Sequence, residues 1–316
     1  MWTLFRAVLN GPKTHGRPVA RLQVLDTLPA FERYWRGASS KTLEVQIDRW
    51  EHQYMAPWPE LLEKLKRNYS ELGVDWKHIA ETRIFPHLPE RMSRIRRLHR
   101  NLLGTLPDSW RRTQRLLKVD FPVRFVIYVG IGVGAGWATR YGGQPACLFG
   151  LENAAELASG KDAAMPGTVS HEVAHLAHDE WRRRRGLRGI VGPGGPYWQL
   201  YEEGFATECE RRIEAPRSFR LRTGRADWLP WCARHRAWLA AKFLRDAGAR
   251  RSMRPFFGSW YNIRGHIDSG YYLGQEMVRQ WTETASLREV AVLPEPVVRR
   301  KARSTLLRWA ADRRTV

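Results

Sequence analysis

The chain has 316 residues, of which 43% are hydrophobic, and a formal charge of +21 at pH 7. That length can bury a substantial core in one compact unit or two lobes. No apolar run reaches the eighteen residues or so of a membrane-spanning helix, and three cysteines, odd in number and far apart, argue against a disulfide framework or a thiolate metal site.

Residues 1–9 are too short and irregular an apolar stretch for a signal peptide, so a cytoplasmic location is expected. Residues 1–23 read as loosely structured. Amphipathic periodicity then predicts helices over 29–36, 41–55, 58–74 and 88–116, with Leu61, Leu62, Leu65 and Tyr69 forming one apolar stripe. The Pro57-Trp58-Pro59 stretch ends one helix and starts the next. At 124–129 the pattern changes to Arg-Phe-Val-Ile-Tyr-Val, and a second short run at 146–149 is expected to pair with it as a strand hairpin. Gly130, Gly132, Gly134 and Gly136 lie between the two runs. No Gly-Lys-Ser/Thr ending follows them, so a phosphate loop is not expected. From about 225 to 296 the chain returns to helix, and 297–316 reads as a basic tail with one short helix near 306–310. These regions suggest a mainly helical part (1–120), a core (121–215) and a helical C-terminal part (216–316), or all three as one compact domain.

Arginine outnumbers lysine 44 to 9 and is spread along nearly every segment. Such even dispersal looks like a coding bias towards arginine as much as a binding stripe, and no zinc finger, RNP sequence or helix-turn-helix accompanies it. No specific nucleic-acid partner is expected; acidic substrates gain more from the field.

The most informative segment is Thr168-Val169-Ser170-His171-Glu172-Val173-Ala174-His175. On a helix, four-residue spacing stacks His171 over His175, able to meet one metal ion, with Glu172 about 100° around, where it can reach a metal-bound water. His178 shares the histidine face, with Asp179 beside it, and Val169, Val173, Leu176, Ala177 and Trp181 occupy the opposite arc. Pro166-Gly167 reads as a break ahead of this helix, with Thr168 or Ser170 as its cap. Two imidazoles need a third protein ligand. The helix around 197–208 offers Glu202 and Glu203, about 100° apart, of which one can face the metal; periodicity leaves the choice open. Gly204 in mid-helix makes sense where another helix passes close. Further on, Gly265-His266-Ile267-Asp268-Ser269-Gly270-Tyr271-Tyr272 places hydrogen-bond donors at the start of an apolar helix. His266, Tyr271 and Tyr272 are therefore candidates to face a developing oxyanion.

These residues resemble the gluzincin branch of the zinc peptidases. Glu203-Gly204-Phe205-Ala206 is similar to the glutamate–glycine–x–alanine element of M1-type aminopeptidases, and the resemblance makes Glu203 the third zinc ligand. A closer resemblance is to the DUF2268 group of predicted zinc-dependent proteases. It rests on Val24-Leu25-Asp26-Thr27, the two metal helices and Gly270-Tyr271-Tyr272-Leu273-Gly274, and covers about residues 20 to 290. It implies an α+β, predominantly helical fold with a zincin-like core and a small antiparallel or mixed sheet before the HExxH helix, and it favours a tyrosine as the oxyanion donor. Two departures stand out. Twenty-seven residues separate His175 from Glu203, against the usual eighteen in M1-type enzymes, and no GAMEN-like exopeptidase element is present, so aminopeptidase activity does not carry over.

The expected function is hydrolysis of peptide bonds, with Zn²⁺ on His171, His175 and Glu203, and Glu172 activating the metal-bound water. Asp179, Thr207, Glu208 or His178 could support a ligand imidazole. The expected partner is a peptide or protein substrate, with acidic ones favoured by the charge. The alternatives are a non-catalytic, zinc-stabilised protein that binds nucleic acid or an acidic partner, and a hydrolase of a non-peptide amide.

Overall fold

The sheet forms around the most apolar strand of the chain. In the computed structural model, which describes residues 22–157, 165–187, 189, 194–214, 227–258 and 260–312, β2 (Val123–Tyr128) is buried along nearly its whole length. Neighbours on both sides give such a strand its near-continuous apolar sequence. β1 (Leu22–Asp26) and β4 (Gln144–Gly150) both pair with β2 in parallel, and β3 (Trp137–Tyr141) returns antiparallel to β4. The order is β1-β2-β4-β3.

This corrects the expected hairpin. The two apolar runs do pair, but in parallel, because β3 intervenes and reverses the chain. The hairpin is β3–β4, turning at Gly142 and Gly143, whose φ angles of 57° and 73° suit residues without a Cβ. β1 also corrects the reading of residues up to 23 as loose where it includes 22 and 23; residues 1–21 lie outside the described part.

The run of glycines before β3 folds around a carboxylate rather than a phosphate. Glu152, on α6 (Leu151–Leu157), is fully buried and accepts hydrogen bonds from Gly130 N (2.7 Å) and Gly132 N (2.9 Å).

The expected N-terminal helices appear as α1 (Leu28–Ala38), α2 (Leu43–Arg49, continued by a π turn), α3 (Pro59–Glu71) and the long α5 (Leu88–Leu117). The short α4 (Trp76–Ile79), not anticipated, precedes α5. Thr27, just after β1, ties this helical layer to the sheet: its hydroxyl donates to Ile127 O (2.9 Å) and lies 2.6 Å from the Tyr54 hydroxyl.

Beyond the sheet come α7 (Met165–Arg183) and α8 (Gly195–Glu214), which pack on each other, α7 also packing against α5. The C-terminal region adds α9 (Trp228–Arg234), α10 (Arg236–Gly248), α11 (Arg254–Phe257), α12 (Ser269–Trp281), α13 (Leu287–Ala291) and α14 (Glu295–Ala310). The expected tail is thus a docked helix. Val298, Ala302, Leu306 and Trp309, at spacings of four, four and three, are all buried, and the intervening arginines face solvent. No described helix is long and apolar enough to cross a membrane.

The tightest helix contact joins α8 to α12. A Cβ added to Gly204 would lie 2.3 Å from the carbonyl carbon of Gly274, and one added to Gly274 would lie 2.3 Å from Leu200 O. Backbone meets backbone here, and only glycine on both helices allows it. Gly37 in α1, by contrast, is exposed and has open space where a Cβ would go. Gly204→Ala should therefore destabilise the protein by about 1–3 kcal/mol through overpacking, and Gly37→Ala should stabilise it by about 0.5–1 kcal/mol. Thermal unfolding of the two variants checks the pair, and equal Tm changes would contradict the crossing.

Candidate metal centre

α7 begins one turn earlier than its sequence suggests. Pro166 and Gly167 lie in its first turn, where proline's missing N–H costs nothing, and the Ser170 hydroxyl bonds back to Gly167 O (3.1 Å) instead of capping the helix. From that start, His171 and His175 point towards α8.

Their Nε2 atoms are 3.2 Å apart, and Glu203 Oε2 lies 3.2 Å from the first and 3.5 Å from the second. These three separations test the fit to zinc. A tetrahedral ion with bonds of about 2.0–2.1 Å holds its ligand atoms about 3.3 Å from one another. Three donors from two helices already stand at that spacing, and the donor set of two imidazoles and a carboxylate suits zinc. Glu203 and His175 keep side-chain exposures of 19% and 11% against 2% for His171, so the cluster faces solvent on one flank.

Geometry chooses between the adjacent glutamates, and electrostatics agrees. Burial alone would raise the Glu203 carboxyl, but His175 and His171 outweigh it and hold the group well below the usual carboxylate range. Glu202 turns towards Trp198; burial, reinforced by the Glu203 charge, pushes it up to about 9. At neutral pH the pair therefore carries one negative charge, on the residue that faces the imidazoles.

Glu172 is buried beside the cluster, against the backbone just ahead of β3. A Cβ on Gly136 would come within 2.6 Å of the Thr168 methyl and 3.2 Å of Glu172 Oε1, so glycine makes room for both side chains. Among the three oxyanion candidates, the Tyr271 ring stands beside the cluster, 5.9 Å from that of His171. Tyr272, one step around α12, packs edge-on against Trp228. The His266 ring stacks on Trp231 at 3.9 Å and 7°, with Nδ1 3.0 Å from Arg264 O.

The residue that supports a ligand imidazole is one the sequence reading missed. Glu210 is fully buried, and its Oε2 lies 3.4 Å from His171 Nδ1. A carboxylate on the far ring nitrogen fixes the tautomer that presents Nε2 to a metal. The signal was available: Glu210 follows Glu203 by seven residues, two turns along the same face of α8. The four residues considered instead have other work. Glu208 binds Arg211, Arg212 and Gln275, Thr207 bonds back to Glu203 O, and Asp179 pairs with Arg183.

His178 belongs to a clamp behind the site. Tyr201 gives its hydroxyl proton to Val290 O (2.6 Å), so His178 Nε2–H is shared between the Tyr201 oxygen (3.0 Å) and Ala291 O (3.1 Å). Arg182 donates to Ala291 O and Leu293 O. Side chains from both metal helices thereby catch the carbonyls at the end of α13. Burial, with Arg182 and His175 nearby, holds the His178 imidazole well below its usual range.

The chain matches no protein-family model, no curated protein and no solved structure in comparison with each. The residues and their geometry form a His171, His175 and Glu203 cluster on two helices that follow a small mixed sheet, consistent with a zincin-like metal-binding motif.

Two outcomes follow. Glu210→Ala should keep the fold but weaken zinc binding roughly 10–100-fold, measured by chelator competition; unchanged affinity would contradict the Glu210–His171 contact. His178 makes stability depend on pH with a definite sign. The unfolded chain protonates this histidine below about pH 6.5 and the folded protein does not, so its contribution is intact above that pH and lost as pH falls through it. Tm measured on the acid side should fall less steeply for His178→Gln than for wild type.

Proposed function

We propose that the protein is a zinc-dependent peptidase of the gluzincin type, with DUF2268 as the group it most resembles. The observation that carries this reading is the position of Glu172. Three ligand atoms stand at the spacing of a zinc tetrahedron, and Glu172, next to His171 on the same helix, is buried against the backbone ahead of β3. A purely structural zinc site has no use for that carboxylate, whereas a hydrolytic one needs a base there.

Bound zinc would supply a Lewis acid and make a water easier to deprotonate. The remaining chemistry belongs to the chain. Glu172 takes a proton from the attacking water as its oxygen adds to the peptide carbonyl. It then delivers a proton to the departing nitrogen, so that water is added across the C–N bond and an acid and an amine leave. Tyr271, beside His171, is assigned the hydrogen bond to the developing oxyanion. Glu210 keeps His171 oriented.

β3 provides the substrate's track. Among the described strands it pairs only with β4, and its first residues adjoin the helix that carries Glu172. An extended peptide adds to such an edge through main-chain hydrogen bonds, which suits substrates of varied sequence. The charge of +21 favours acidic ones. The three buried cysteines fit a reducing, cytoplasmic setting.

Glu172→Gln should bind zinc as wild type does and lose about 10²–10⁴-fold in kcat/KM on a peptide library. His175→Ala and Glu203→Ala should lose the metal itself. Equal zinc content in wild type and these two variants would overturn the ligand set, and full activity in Glu172→Gln would overturn the base.

A further inference from the structure

β3 starts beside Glu172. Gly136, the residue before the strand, touches Glu172; from there β3 leads through Tyr141 to the exposed Gly142 and Gly143 turn. A peptide paired along its outer edge has the whole strand as track on that side of Glu172.

On the other side the track ends. The backbone turns into residues 130–136, which are pinned through Gly130 N and Gly132 N to the buried Glu152. Trp260 stands against this segment, its ring atoms 3.2 and 3.3 Å from where a Gly132 Cβ would be. The indole is braced from behind. The Arg83 guanidinium lies 4.1 Å from the ring centroid, and Nε1 donates to Glu156 Oε2 at 3.3 Å. Glu156 is itself 3.8 Å from Arg83 and 3.6 Å from Arg91.

Three positions earlier in the chain, Phe257 packs on Tyr271 (ring centroids 5.7 Å apart), and Tyr271 packs on His171. Three residues span at most about 11 Å. Ring contacts thus pass from His171 through Tyr271 to Phe257, three positions before Trp260; on the other side Trp260 stands against Gly132, four positions before the Gly136 that lies against Glu172.

We propose that Trp260 is a wall that determines where a substrate is cut. It leaves room for only a few residues beyond the scissile bond on the glycine side, while the β3 side accommodates a longer stretch. The substrates are then peptide ends, trimmed of single residues or short pieces, and not the interior of long or closed chains. This specificity rests on the peptidase reading above.

The test uses the zinc-loaded full chain, a linear peptide longer than β3, and the same sequence cyclised head to tail, with products located by mass spectrometry. Cuts in the linear peptide should cluster within a few residues of one and the same terminus, and the cyclic peptide should stay intact. Trp260→Gly should gain interior cuts and cleavage of the cycle at unchanged zinc content, and Trp260→Phe should keep the wild-type pattern. Wild-type cleavage of the cycle at the linear rate overturns the wall, as does a zinc-loaded Trp260→Gly with wild-type products. The cyclic arm needs only the wild-type protein, so it decides even if Trp260→Gly does not fold. If neither wild type nor Trp260→Gly cuts any linear peptide with zinc bound, the peptidase reading itself falls, and the wall falls with it.

Discussion

A carboxylate that gives up most of its water to stand between two imidazoles is the interaction around which this molecule is arranged. His175 and His171 hold Glu203 as an anion against the cost of its burial, and their own Nε2 atoms stand 3.2 Å apart beside it. Buried charges left unpaired are costly. The fold must therefore keep α7 and α8 in fixed register. The clamp of His178, Arg182 and Tyr201 on the end of α13 does so from behind, and Glu210 does so alongside.

Close approaches at glycine set the remaining geometry. Gly204 and Gly274 let α12 lie directly on α8, and Tyr271 sits one turn before that crossing. Gly136 lets the start of β3 lie on Glu172, and Gly132 admits Trp260. At each of these points a side chain of the proposed site is positioned by the absence of a neighbouring side chain, so the site is placed by backbone contacts that tolerate little change. The glycine run that resembles a nucleotide loop at first sight is accounted for by the same logic, with Glu152 in place of a phosphate.

Much of this was legible in the residues. The stripe of α3, the proline start after Trp58 and the length of α5 follow from periodicity, and the two histidines follow from four-residue spacing, whereas Glu203 rather than Glu202 rests on the resemblance and not on the pattern. What was hidden shares a physical cause. β3, with its sequence Trp-Ala-Thr-Arg-Tyr, is only partly buried, so it lacks the apolar run that marks β2. Once β3 goes unseen, β2 and β4 look like a hairpin, because sequence neighbours are the default pairing. α14 was masked by its arginines, which form its outer face and obscure an i, i+4 core stripe. That Tyr271 rather than Tyr272 stands beside His171 depends on how α12 lies on α8 at Gly274 and not on local pattern. Glu210 needed a partner across two helices before its spacing meant anything.

The central claim concerns the ion, and X-ray absorption at the zinc edge of the purified protein tests it most directly. The account predicts only nitrogen and oxygen neighbours at about 2.0–2.2 Å, with multiple scattering from two imidazoles and one position held by exchangeable water. A sulfur shell near about 2.3 Å, or a coordination sphere closed by four protein ligands, would contradict it.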